Sequence, residues 1–147
     1  VVAVGGGGLL GGVLDGLDRV GWRKCRVLAV ETEGASSFNR SLAAGRVVEL
    51  DAITSVAKSL GARRVSDEVL ARALARGVES HVVSDPDAIA AVVRFADDSR
   101  QLVEPACGAA LAAVYDWRQG PTGSVLAIVC GGAGVTAGDL VRWRSGS

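Results

Sequence analysis

Apolar residues follow two different periods that alternate along the chain. The runs VVAV (1–4), RVLAVE (26–31) and HVVS (81–84) are apolar and β-branched, which is typical of buried strands. Between them, apolar positions recur every three or four residues, which is typical of helices. The predicted helices cover 9–21, 37–45, 53–62, 66–77, 85–98, 105–117 and 136–143, and further strands are predicted at 47–50, 101–104 and 124–132. This alternation predicts an α/β layered domain with a largely parallel sheet flanked by helices.

Several helix boundaries carry their own signals. Ser66, followed by acidic residues, is a typical helix start, and Gly77 a typical stop. Asp85 is predicted to cap the next helix, with Pro86 at its first position. The segment RQGPTGS (118–124) is predicted to be a turn-rich connection. These capping and turn residues divide the chain into helices and strands of ordinary length.

The length of 147 residues predicts one domain or part of one. The chain begins with Val1, already inside a predicted strand, and contains no Met. We therefore expect residues 1–147 to be a single partial domain, the C-terminal portion of a longer protein whose N-terminal part is missing.

Charge and cysteine content narrow the function classes. Sixteen basic and sixteen acidic residues balance to a net charge of zero, which offers no electrostatic case for nucleic acid or an anionic membrane surface. No apolar run is long enough for a membrane span, and no secretory signal is visible. Cys25, Cys107 and Cys130 are odd in number and lack metal-ligand spacing, which indicates free thiols in a reducing, cytoplasmic compartment.

The tetraglycine at 5–8 is the strongest local signal. A strand, a glycine loop and a helix form the geometry of an anion site, because backbone amides and the helix dipole point at the anion. No Gly-Lys-Ser/Thr follows, which excludes a Walker P-loop. Gly6, Gly8 and Gly11 also satisfy a dinucleotide fingerprint, with Glu31 where a ribose-binding acid would lie. An NAD(P)-binding oxidoreductase domain and a merely tight turn therefore remain alternatives at this point.

Five segments together resemble one family. They are GGGGLL, ETEGASSF (31–38), ITSVAKSLGA (53–62), LVEPACGAALAAVY (102–115) and IVCGG (128–132). In order and spacing they resemble the L-serine dehydratase/L-threonine deaminase family, of the tryptophan-synthase-β-like class of pyridoxal phosphate (PLP) enzymes. The resemblance implies the larger PLP-binding domain of that fold, in a cytosolic homodimer. It also implies deamination of L-serine or L-threonine to a 2-oxo acid and ammonia.

The resemblance also assigns roles to particular residues. The cofactor phosphate would be bound by the glycine loop, and one cysteine would lie beside the pyridine nitrogen: Gly5, Gly6, Gly7, Gly8 and Cys130. A monovalent cation, K⁺ by expectation, would be bound by Glu31, Ala35, Ser37, Leu60 and Ala62. A carboxylate, a hydroxyl and irregular backbone carbonyls suit this role, because hard cations prefer oxygen ligands.

The family's catalytic residues have no counterpart among these 147 residues. The family's Schiff-base lysine lies upstream of the glycine loop, and neither Lys24 nor Lys58 matches it, so no catalytic residue is assigned. Glu104 is either a helix N-terminal acid or a residue near the cofactor. The alternatives are a serine racemase or threonine dehydratase of the same fold, and a non-catalytic remnant that binds a phosphorylated ligand.

Overall fold

The computed structural model describes residues 1–116 and 123–145, so most of the predicted connection at 118–124 lies outside the described residues. The strands are β1 (Val2–Ala3), β2 (Leu28–Thr32) and β3 (Glu79–Val83). The helices are α1 (Gly8–Arg19), α2 (Ser37–Ala44), α3 (Asp67–Arg76), α4 (Asp85–Ser99), α5 (Pro105–Tyr115) and α6 (Ala137–Ser145). Two short 3₁₀ turns cover Glu33–Ala35 and Lys58–Leu60.

The strands form one parallel sheet in the order β1-β2-β3. Val2 lies opposite Ala29 in the first pair, and Leu28 lies opposite Glu79 in the second. Parallel neighbours require crossover connections, and here helices supply them. The predicted α/β architecture with a parallel sheet is confirmed.

The sheet has helices on both faces, because its buried side chains alternate in direction. Val2, Val4 and Ala29 belong to a core shared with α1, α2 and α3. Ala3 and Val30 belong to a second core shared with α4 and α5. Two apolar faces on one sheet explain why β1 and β2 are apolar without interruption in the sequence.

Helix α5 is buried along nearly its whole length, from Pro105 to Ala113. Its small side chains allow close packing: a Cβ on Gly108 would overlap the carbonyl oxygen of Ala88 in α4. In residues 1–116 and 123–145, no helix has the length and apolar content needed to cross a membrane.

The strands predicted at 101–104 and 124–132 are wrong as regular elements. The Val1 ammonium donates to Leu126 O at 2.7 Å, and Ile128 N donates to Val1 O at 3.0 Å, the bond pair of one parallel bridge. Glu104 N also donates to Gly131 O at 3.2 Å. The 124–132 segment therefore runs along the free edge of β1, and the 101–104 segment bonds to the 124–132 segment. They gain no regular ladder, because β1 is only two residues long.

The helix predicted at 53–62 and the strand predicted at 47–50 are also wrong. Side chains take over the backbone hydrogen bonds there: Ser55 Oγ accepts from Ala57 N at 3.0 Å. Val48 N donates to Ser41 Oγ at 2.9 Å rather than to a neighbouring strand. Hydroxyl side chains that bond nearby amides compete with helix and sheet, which leaves irregular backbone with one 3₁₀ turn at Lys58–Leu60.

The cap of α4 lies one residue earlier than predicted. Ser84 is the N-cap, and its Oγ accepts from Asp87 N at 3.2 Å. The carboxylate of Asp85, the residue predicted to be the cap, instead accepts from Ser55 Oγ at 2.6 Å and from Val56 N at 2.9 Å. The side chain of Asp85 thereby ties the irregular segment to the start of α4.

Candidate functional site

The glycine loop joins the carboxyl end of β1 to the first turn of α1. Gly7 is the N-cap, with a positive φ of 99°, and α1 begins at Gly8. Among the described residues, none accepts a hydrogen bond from the amides of Gly6, Gly7, Gly8 or Leu9. Unpaired amides at a helix N-terminus form an anion-binding site, and α/β proteins bind their ligands at this edge of the sheet.

The four glycines are required for two different reasons. A Cβ on Gly5 would lie 3.1 Å from Ser59 O, and one on Gly7 would lie 3.0 Å from Val69 Cγ1. These two glycines are therefore needed by the protein's own packing, and the positive φ of Gly7 adds to this. A Cβ on Gly6 would meet only Ala62 Cβ, at 3.6 Å, and one on Gly8 would meet nothing within 4 Å. The space at Gly6 and Gly8 is free for a ligand.

One cavity of about 250 Å³ brings the glycine loop and Cys130 together. Its walls come from the end of β1, the glycine loop, the first turn of α1, the 3₁₀ turn, α5 and the irregular 124–132 segment. The lining residues are Ala3, Val4, Gly5, Gly6, Gly7, Gly8, Leu9, Leu10, Ser59, Leu60, Ala106 and Cys130. The glycine loop and Cys130, to which the resemblance assigns the cofactor, thus line one cavity.

Cys130 has a second thiol beside it. Its Sγ lies 3.3 Å from Sγ of Cys107, which is fully buried in α5. Cys107 Sγ is held in turn by Gly131, whose N donates to it at 3.1 Å and whose O accepts from it at 3.0 Å. Although the Cys130 side chain is exposed on one side, partial desolvation of its Sγ, followed by the interactions with Cys107, raises the pKa of Cys130 to about 11, and the nearby Glu104 carboxylate adds to this. Cys130 is therefore a neutral thiol at neutral pH.

Glu31 lies near the end of β2 and has no exposed surface. Its two carboxylate oxygens accept from Phe38 N at 2.8 Å and from Asn39 N at 2.6 Å, in the first turn of α2. Burial raises the pKa of Glu31 to about 7, although these two amides act in the opposite direction. Glu31 does not line the cavity beside the glycine loop. Its position therefore does not suit the ribose contact of a dinucleotide site.

The other residues assigned to a cation surround the segment 54–62. Ser37 begins α2, and its Oγ is buried without a hydrogen-bond partner in the described part of the chain. Ala35 ends the 3₁₀ turn that packs on this segment, where Thr54 N donates to Gly34 O at 3.0 Å. Leu60 lines the cavity, and Ala62 is the residue nearest to a Cβ built on Gly6. One segment therefore contacts both the Glu31 region and the glycine loop.

Within residues 1–116 and 123–145, no group of three or more His, Cys, Asp or Glu side chains could hold a metal ion. A cation near Glu31 would therefore depend on one carboxylate, hydroxyls and backbone carbonyls. The unpartnered hydroxyl of Ser37 fits such a ligand set, because a buried polar atom without a partner is rare in native proteins.

The sequence reasoning missed a chain of hydrogen bonds that fixes this segment. Thr32 Oγ1 donates to Ser55 Oγ at 2.7 Å, and Ser55 Oγ donates to Asp85 Oδ1 at 2.6 Å. Asp85 follows β3 almost directly, so it lies at the same carboxyl edge as the glycine loop. That position was the signal available in the sequence, but it was interpreted only as a helix cap.

Comparison with known proteins identifies the family. The sequence profile of the family described as "Pyridoxal-phosphate dependent enzyme" matches residues 1–131. The chain belongs to this family. Membership in a family of PLP enzymes sets aside the dinucleotide alternative, in agreement with the position of Glu31 away from the cavity.

Relatives within this family carry names that agree with the resemblance. The chain is 53% identical over 150 residues to the mouse (Mus musculus) "Serine dehydratase-like" protein, covering 95% of this chain and 46% of the relative. It is 49% identical over 154 residues to the cattle (Bos taurus) "L-serine dehydratase/L-threonine deaminase", covering 98% and 47%. The chain thus spans about half the length of these curated relatives.

A solved structure has the same fold. The fungal L-serine ammonia-lyase from Rhizomucor miehei superposes with a TM-score of 0.91 at 37% identity, covering 98% of this chain and 48% of that one. This similarity confirms the expected fold. The residues at the glycine loop fit the cofactor of the family, because Gly6 and Gly8 leave room and unpaired amides for a phosphate.

Proposed function

We propose that the protein carrying this chain deaminates L-serine and L-threonine by PLP-dependent β-elimination, giving a 2-oxo acid and ammonia. The observation that carries the proposal is the glycine loop, where Gly6 and Gly8 leave both space and unpaired amides at the start of α1. The names of the relatives support the choice of substrate and reaction. The full-length relatives are about twice as long, so the proposal concerns the whole protein.

The phosphate group of the cofactor would bind to the glycine loop. The free amides of Gly6, Gly7 and Gly8 would donate to its oxygens, and the N-terminal dipole of α1 favours the negative charge. Gly5 and Gly7 hold the loop in shape, since any side chain there would press on Ser59 or Val69. Bound there, PLP would supply the electron withdrawal that acidifies the Cα–H bond of the amino acid.

Cys130 would bind the pyridine nitrogen of the cofactor as a neutral group. With a pKa raised to about 11, its Sγ keeps its proton at neutral pH. A neutral thiol can form a hydrogen bond, but it cannot hold the ring nitrogen protonated by charge pairing as a carboxylate can. A less electron-poor ring suits β-elimination, in which the substrate's own hydroxyl leaves.

The reaction requires a lysine, and none of the described residues that line the cavity is a lysine. Neither Lys24 nor Lys58 lines the cavity in the described part of the chain. The family's lysine precedes the glycine loop, so we expect it in residues that precede Val1. On this proposal, the present chain binds the phosphate and the ring edge, and the preceding residues remove the α-proton.

A monovalent cation, expected to be K⁺, would bind beside Glu31. The proposed ligands are Glu31, Ala35, Ser37, Leu60 and Ala62. Two features support the site: a fully buried carboxylate with a raised pKa, and a buried hydroxyl without a partner among the described residues. A cation there would stabilise the segment 54–62, which also contacts the glycine loop.

The test measures product formation by the full-length protein. With PLP and KCl we expect pyruvate and ammonia from L-serine and 2-oxobutyrate from L-threonine. D-Serine as the main product would favour a racemase, and threonine without serine turnover would favour a biosynthetic threonine dehydratase. For the 147 residues alone we expect PLP binding without pyruvate formation, and pyruvate formation that is lost in Lys58→Ala would contradict the assignment of the lysine.

Three further expectations remain predictions. Sedimentation of the full-length protein would test the homodimer, and fractionation of cells would test the cytoplasmic location. Binding of a phosphorylated ligand by a full-length protein that lacks deaminase activity would favour the non-catalytic alternative.

A further inference from the structure

Two of the three thiols of the chain lie within reach of each other beside the cofactor cavity. Sγ of Cys107 and Sγ of Cys130 are 3.3 Å apart, so they must approach by only roughly 1.3 Å to reach disulfide length. Cys107 is fixed in the buried helix α5. Cys130 is exposed and lies outside any helix or strand, and because the next residue, Gly131, is hydrogen-bonded to Cys107 and Glu104, its side chain rather than its backbone is free to move. The movement can therefore come from Cys130.

We propose that Cys107 and Cys130 form an oxidation site, at which an oxidant of the peroxide class closes a disulfide and withdraws the Cys130 thiol from the cofactor cavity. Formation of the disulfide does not depend on the proposed function, because it requires only the two thiols and the oxidant. Its effect on the cofactor rests on the proposed function, since it requires that PLP occupies the cavity that Cys130 lines.

The chemistry balances in two steps. Cys130 loses its proton and attacks hydrogen peroxide; an S–O bond forms, the O–O bond breaks, and the departing hydroxide takes the proton to give water. Cys107 then loses its proton and attacks Cys130 Sγ; the S–S bond forms and the S–O bond breaks. The second hydroxide takes the second proton. Two thiols and one peroxide thus give one disulfide and two waters.

Cys130 is the expected attacking residue because it is exposed, whereas Cys107 is buried. Because the pKa of Cys130 is raised to about 11, its thiolate fraction at neutral pH is small. Oxidation at this site is therefore slow at neutral pH. As long as the pH is below that pKa, the rate should rise about tenfold for each unit by which the pH increases. This dependence distinguishes it from a thiol that is already ionised.

Closure of the disulfide would remove the hydrogen atom on Cys130 Sγ and pull the sulfur toward α5. The cavity would then lose the one S–H donor at this wall. Loss of one neutral hydrogen bond should weaken PLP binding by about two- to tenfold. Reduction with dithiothreitol should restore the affinity, because no irreversible oxidation has occurred.

Trypsin offers a direct readout. Cleavage after Arg100, Arg118 and Arg142 places Cys107 in the peptide 101–118 and Cys130 in the peptide 119–142. After treatment of the full-length protein with hydrogen peroxide at pH 7 and pH 9, mass spectrometry without reduction should show these two peptides linked. The link should form about a hundredfold faster at pH 9.

The matched control is Cys25, which is exposed and pairs with no other thiol in the described residues. Cys25→Ser should still form the linked peptide and lose both remaining free thiols. Cys107→Ser should form none, and its Cys130 should be trapped as sulfenic acid by dimedone. Oxidation of wild-type Cys130 to a dimedone-reactive form without the linked peptide, at either pH, would overturn the oxidation site.

A second measurement separates this proposal from the proposed function. PLP binding is measured by fluorescence for the reduced, oxidised and re-reduced full-length protein. Equal affinity in all three would overturn the effect on the cavity, even if the linked peptide forms. If the reduced full-length protein binds no PLP, the proposed function fails, whereas the oxidation site is still decided by the linked peptide.

Discussion

Gly8→Asp should separate phosphate binding from folding. Gly8 is exposed at the first position of α1, and a Cβ there would meet nothing within 4 Å. Aspartate in the first turn of a helix is favourable by about 0.3–1 kcal/mol, and its helix propensity exceeds that of glycine by a few tenths of a kcal/mol. We therefore expect the variant to be as stable as the wild type or slightly more stable. Gly7→Asp would not allow this separation, because its positive φ and the nearby Val69 would strain the fold.

The same substitution should abolish useful affinity for the phosphate. The carboxylate would lie within about 4 Å of a bound phosphate, where two unit charges repel by about 4 kcal/mol at the effective dielectric constant of a protein surface. At about 1.4 kcal/mol for each factor of ten, the affinity for PLP should fall by about a thousandfold. Pyridoxal, which lacks the phosphate, should be affected far less.

Fluorescence titration with PLP, together with urea unfolding, measures both effects on the same samples. Gly8→Asn has nearly the same size without the charge, so it should lose much less affinity than Gly8→Asp. Gly16→Asp places the same charge about 12 Å further along α1, at 1.5 Å per residue, and should bind PLP almost normally. Wild-type affinity in a folded Gly8→Asp protein would refute the assignment of the phosphate to this loop.

Two further substitutions test the surroundings of the glycine loop. Burial raises the pKa of Glu31 from 4.5 to about 7, so the folded chain holds this proton more tightly than the unfolded chain. Without a bound cation, the free energy of unfolding should therefore fall by about 3 kcal/mol as the pH rises from about 4.5 to about 7. Addition of KCl, or the substitution Glu31→Gln, should reduce this loss. If urea unfolding of the wild type gives the same free energy at both pH values, the argument is wrong. Asp85→Asn should lower the free energy of unfolding by about 1.5–3 kcal/mol, because Asp85 accepts charge-assisted bonds from Ser55 Oγ and Val56 N. The control Asp98→Asn removes an exposed ion pair with Arg94 and should lower the free energy of unfolding by less than about 1 kcal/mol. Equal decreases in the two variants would count against a special role for Asp85.

The parallel sheet and its flanking helices could be predicted because their signals are local. β1 and β2 are short apolar runs, and α3 has an acidic first turn and a glycine stop at Gly77. Such patterns depend only on neighbours along the chain. The segment 124–132 is not the regular strand that its apolar run predicts. The run does not reveal how many residues the neighbouring strand β1 has for pairing. Val125, Leu126 and Val129 are exposed, and β1 offers only two residues for this segment to pair with.

The irregular segment at 53–62 shows a second limit. Its spacing of apolar residues favours a helix, but Ser55 bonds to Thr32, Ala57 and Asp85 instead. Two of these partners are distant in sequence, so no local pattern reveals them. The same bonds leave backbone carbonyls unused by a helix, which is the condition that a cation site built on carbonyls requires.

The tetraglycine illustrates how far a motif can be interpreted without coordinates. The sequence correctly indicates a loop between a strand and a helix, but it does not show that the four glycines are needed for different reasons. Gly5 and Gly7 are favoured by packing even if nothing binds, because a Cβ on either would press on Ser59 or Val69, and Gly7 also has a positive φ. Gly6 and Gly8 have no such neighbour, so packing alone would permit alanine at either position. A folding explanation therefore accounts for only half of the motif, and a ligand that approaches the backbone is the physical reason that remains for the other half.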